Sequence, residues 1–103
     1  MATVGVIILH AEPSPSAGEL EGWVAAERRG LADRHRAAFV AASATEVRIV
    51  AGPPDGRAFG ARLRDEASAT RTSGLVVLGS GSIPLATAAD RRALVQAAAA
   101  EQP

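Results

Sequence analysis

The sequence predicts an α/β protein: a three-layer, Rossmann-like β-α-β-α-β-α chain with a small parallel sheet in the order 2-1-3. Three observations predict it. Residues 4–9 carry Val4, Val6, Ile7, Ile8 and Leu9, and residues 75–78 are Leu75, Val76, Val77 and Leu78. Such short, continuous apolar runs read as strands covered on both faces, as in a parallel sheet. Stretches with helical spacing separate the strands, and crossovers between parallel strands are right-handed.

The elements follow in order. The first strand gives way after His10 to a loop, because Pro13 and Pro15 exclude a helix or strand interior. Ser16 with Glu19 resembles a capping box that opens a helix. Leu20, Trp23, Val24, Leu31, Ala38, Phe39 and Ala42 then recur at helical spacing. A straight helix over residues 16–42 would be about 40 Å long, beyond the diameter expected of a compact domain, so a break is expected near Gly30. Residues 46–51 form a second strand of mixed polarity, less covered than the first. Gly52, Pro53, Pro54, Asp55 and Gly56 make a turn. Phe59, Leu63 and Ala67 form a short helical stripe before the third strand. Thr87 with Asp90 is a second capping-box pattern, opening a helix from about residue 88 to 100.

With 103 residues the chain is expected to be a single α/β domain spanning 1–103. It is 48% hydrophobic but only 3% aromatic, so Val, Leu, Ile and Ala must build the core. Eleven basic and eleven acidic side chains cancel, which gives no electrostatic reason to expect a nucleic-acid or membrane partner. The absence of cysteine excludes disulfides, thiolate nucleophiles and thiolate metal sites. No signal peptide or membrane span is visible, and a cytoplasmic location is the expectation.

The first strand is expected in the middle, with the strands at 46–51 and 75–78 flanking it. The strand order then reverses between the first and third strands, and ligands of open α/β sheets sit at such points. The candidate ligand-binding residues are therefore His10 and Glu12 on one side, with Gly79, Ser80, Gly81 and Ser82 on the other. The glycine-serine turn offers backbone N–H groups and hydroxyls to a phosphate, although no Gly-Lys-Ser/Thr of a P-loop follows. His35, on the helix stripe, fits a partly buried structural role. Arg28, Arg29, Arg91 and Arg92 read as helix-surface charges, and Trp23 as a packing or interface residue. No metal site is expected from two histidines far apart in sequence. The sequence singles out no catalytic residue and no cofactor.

Residues 29–42, the strand at 46–50 and residues 75–95 together resemble the first half of a GT-A type nucleotidyltransferase. Molybdenum-cofactor and phospholactate nucleotidyltransferases and small GT-A glycosyltransferases belong to that family. Ser82-Ile83-Pro84-Leu85-Ala86-Thr87 stands where the family has Asp-x-Pro-Leu-Leu-Thr. The resemblance implies a nucleotide or sugar-nucleotide ligand. Ser82 replaces the family's metal-holding Asp, and the loop at 10–16 lacks the family's glycines and basic residue. The implied protein is thus partial or catalytically degenerate. A non-catalytic assembly module is the competing reading, since residues 75–78 make an apolar outer strand that invites a homo-oligomer or a second polypeptide half. A small hydrolase using Ser80 or Ser82 would need His10 as its base.

Overall fold

The computed structural model describes residues 3–11, 18–52 and 59–100. Their order is β1 (Val4–Ala11), α1 (Glu19–Ala41), β2 (Glu46–Gly52), α2 (Phe59–Ala69), β3 (Gly74–Gly79) and α3 (Ala88–Ala99). The three strands form one parallel sheet in the order β2-β1-β3. Central β1 is the most buried strand, and Val6, Ile7 and Ile8 are fully buried.

Side chains alternate across a strand, and this sorts the layers. Val4, Val6 and Ile8 pack with Ala32, Phe39 and Ala42 of the α1 region and with Val95 of α3. The register sets Val6 beside Val47 and Val76, and Ile8 beside Ile49 and Leu78, so one face carries α1 and α3. On the other face Arg48 Nη2 lies 3.1 Å from Glu66 Oε2 of α2. Gly5 faces Thr70 and Thr72 there, just past the end of α2. Gly74 is required by close approach: a Cβ at this position would collide with the backbone of Ala98 in α3.

Several expectations need correcting. α1 is one unbroken helix of 23 residues, about 35 Å long at about 1.5 Å per residue. Gly30 lies inside it with open space where a Cβ would be. Packing of Ala32, His35 and Phe39 holds the helix through the weak position, and the molecule is elongated, 46 × 30 × 19 Å, which accommodates its length. Its N-cap is Gly18 in extended conformation with no side-chain cap, not Ser16. β1 continues through His10 to Ala11. β3 is covered on one face only: Val76 and Leu78 face the core, whereas Leu75 and Val77 are 38% and 40% exposed. Leu20, Trp23 and Val24 of α1 are also exposed, so Trp23 is not a packing residue within this chain. Leu63 and Ala67 of α2 are half-buried. Glu12, Ser16 and the turn at 53–56 lie outside the described residues.

Candidate functional site

The carboxyl ends of β1 and β3 lie side by side, because Leu9 is in register with Gly79. His10 and Ser80 follow them, and His10 Nδ1 is 3.0 Å from Ser80 Oγ. Both residues are 4% exposed. A serine hydroxyl on a histidine nitrogen is the arrangement of an activated nucleophile. Here both partners are nearly out of solvent, and the pair ties the ends of two strands together.

The turn after β3 is fixed by hydrogen bonds within it and to β1. Ser80 N–H donates to Leu9 O at 2.8 Å, and Ser82 N–H to Gly79 O at 3.0 Å. Gly79 N–H donates to Ser82 Oγ at 3.2 Å. The amides of Gly79, Ser80 and Ser82 are thus used within the chain. The donors left to a ligand are the Gly81 N–H and the Ser82 hydroxyl proton. A polar cleft of about 290 Å³ opens beside them, lined by Leu9, Arg28, Gly79, Ser80, Gly81 and Ser82. Arg28 of α1 packs along Gly81, where even a methyl group would touch its side chain. Gly79, Ser80, Gly81 and Ser82 are therefore brought to one cleft, with His10 beneath them. Arg28 joins them from α1, although the sequence reads it as a helix-surface charge.

The turn is also held from below. His35, fully buried, places Nε2 2.8 Å from Ser82 O and Nδ1 3.2 Å from Arg91 Nη2. A carbonyl only accepts and a guanidinium only donates, so Nε2 carries the proton and Nδ1 is bare. Burial lowers the His35 pKa from 6.5, the Ser82 carbonyl opposes that, and Arg91 and Arg34 reinforce it. His35 is therefore neutral and fixed in one tautomer. Arg91 also donates Nη1–H to Ala86 O at 3.0 Å, and its guanidinium lies 5.9 Å from the Phe39 ring centroid. Its Nε is buried with no hydrogen-bond partner. Arg91 is thus a tie between α3, α1 and the turn, not a surface charge.

Between turn and helix, Ile83 has φ +42°, a strained conformation for a β-branched residue. Thr87 then caps α3: its hydroxyl accepts from Asp90 N–H at 3.1 Å, while the Asp90 carboxylate accepts from Thr87 N–H at 2.9 Å. The Thr87 N–H on its oxygen, and after it the Thr87 hydroxyl, hold the Asp90 carboxyl below its ordinary pKa. Among the described residues, no three of His, Cys, Asp and Glu gather as a metal site would require. No described helix is long and apolar enough to cross a membrane.

The fold and site define an α/β chain with a polar cleft at the carboxyl edge of a parallel sheet. The chain matches no protein-family model, no curated protein and no solved structure.

Proposed function

We propose that this cleft binds the phosphate end of a nucleotide or sugar nucleotide. The observation that carries the reading is Arg28, a permanent cation beside the Gly81 backbone that makes no ion pair with a described residue. A guanidinium presents several donors to phosphate oxygens, and Gly81 N–H and the Ser82 hydroxyl converge on the same space. The volume is near the lower end of ligand pockets, which suits a phosphoryl group with the rest of the ligand outside. The resemblance to GT-A nucleotidyltransferases favours a nucleotide over free phosphate. Ser82 is a poor ligand for Mg²⁺ and its Oγ already accepts from Gly79 N–H, so binding is expected to be independent of divalent metal. The same reading places the protein in the cytoplasm.

A melting-temperature screen of purine and pyrimidine nucleotides, sugar nucleotides and inorganic phosphate, with and without Mg²⁺, tests this. A ligand at ~100 times its Kd stabilises by about 2.7 kcal/mol, well within detection. The expected result is a rise with at least one nucleotide, undiminished by a chelator and lost in Arg28→Gln. Absence of any nucleotide response in the wild-type chain overturns the reading. Labelling of Ser80 by an organophosphorus probe would instead favour the Ser80–His10 pair as a hydrolase centre.

A further inference from the structure

The outer flank of β3 is uncovered in two respects, and the segment after it carries an apolar groove. The first is its backbone. Gly74 N–H donates to Thr3 O at 2.9 Å, and Ser80 N–H to Leu9 O at 2.8 Å. Successive strand residues direct their polar groups to opposite sides, so residues 74, 76, 78 and 80 address β1. Leu75, Val77 and Gly79 address the other side, where no described strand lies. Gly79 N–H is already taken by Ser82 Oγ, which leaves the amides and carbonyls of Leu75 and Val77 as the open edge.

The second respect is the face carrying Leu75 and Val77, whose side chains are 38% and 40% exposed. The groove, about 620 Å³, is lined by Ile83, Pro84, Leu85, Ala86, Asp90, Ala93 and Leu94 of the loop and helix that follow β3. Ala93 and Leu94 are exposed on α3, whereas Val95, Ala98 and Ala99 pack into the core. Leu85 is 91% exposed. Asp90 is the groove's lone charge, and its carboxylate is engaged by Thr87. An apolar edge with no lysine, proline or inward charge lacks the devices that keep edge strands solitary. The opposite edge strand, β2, does carry charges in Glu46 and Arg48.

We propose that this flank is the interface of a two-fold homodimer, in which β3 pairs antiparallel with β3 of a second copy. The pattern is complementary to itself. Directly opposed residues of an antiparallel pair point to the same face. A two-fold axis at Val76 sets Leu75 opposite Val77 of the second copy, and each then offers its open N–H and C=O to the other. Both open residues of each copy become hydrogen-bonded, and Leu75 and Val77 cover one another. The two-fold sets the α3 helices of both copies on the same face of the joined sheet, opposite Leu75 and Val77. The contact closes, because β2 with its charges is left outside it. Pairing does not involve Arg28 and is independent of any ligand in the cleft.

Sedimentation of the chain from micromolar to millimolar concentration tests the proposal, together with Val77→Lys and Val40→Lys. Val40 is 60% exposed on α1, away from β3, and serves as the control. The expected result is a dimer for the wild type and for Val40→Lys. Val77→Lys should weaken association at least tenfold while keeping its circular dichroism. If Val77→Lys fails to fold, isotope-filtered NMR on mixed labelled and unlabelled wild type should show Leu75 methyl contacts to Val77 of the other copy. A monomer at all concentrations, a dimer indifferent to Val77→Lys, or intermolecular contacts elsewhere would overturn it.

Discussion

His35 shows how much a single side chain can fix. Its ring links the Ser82 carbonyl to Arg91, and both bonds require the neutral ring with its proton on Nε2. Protonating Nδ1 would set a cation against the Arg91 guanidinium. The folded pKa lies below the unfolded value of 6.5, so the unfolded chain takes up a proton that the folded chain refuses. The stability this group contributes is complete above pH 6.5 and is lost as pH falls from there through the folded pKa. Urea midpoints measured from pH 8 down to pH 5 should therefore decline. In His35→Gln the decline should be shallower, since an amide can donate to Ser82 O and accept from Arg91 at any pH in that range. An equal slope in the variant would assign the effect to other groups. None of this was legible in the sequence beyond the histidine's place on a helix stripe. Arg91 and Arg92 look alike as letters, and only the packing of α3 against α1 turns one of them inward.

At the scale of elements, α1 is where propensity and packing disagree. Glycine in a helix interior costs about 1 kcal/mol relative to alanine, yet the helix runs through Gly30 without a break. Its C-terminal half is secured by Ala32, His35 and Phe39, and its N-terminal half exposes Leu20, Trp23 and Val24. Gly30→Ala meets open space and should stabilise the chain by about 1 kcal/mol, raising Tm by roughly 4–8 °C. Calorimetry decides it, and an unchanged or lower Tm would mean that this part of α1 contributes little to the cooperative unit. The strands were easier to read. Continuous apolar residues identified β1 and β3, and mixed polarity marked β2 as a flanking strand. An apolar run does not reveal whether a neighbour is present to cover it, which is why two-sided coverage was expected of β3 and only one face has it.

The whole molecule is less round than a compact chain of this size. Its Cα radius of gyration is 14.4 Å, against about 13 Å for a compact domain of about 100 residues, and its longest extent is 46 Å. Topology was legible at this scale, because a β-α-β rhythm with right-handed crossovers leaves few ways to order three parallel strands. The cleft was legible as a place, through the reversal of strand order. Its chemistry was less so, because Arg28 comes from the middle of a helix and hydrogen bonds within the chain take up the amides of Gly79, Ser80 and Ser82.

The alternation along β3 carries a consequence in time as well as in space. The amides of Val76 and Leu78 are held against β1, whereas those of Leu75 and Val77 face away from it. Hydrogen exchange in a single copy should therefore swing between slow and fast from one residue to the next, a period of two written in rates. Dilution is the control variable. As copies associate, the Leu75 and Val77 amides should slow toward their neighbours while Val76 and Leu78 barely change. If Leu75 and Val77 are already as slow as Val76 at the lowest concentration, their amides are occupied within the chain itself.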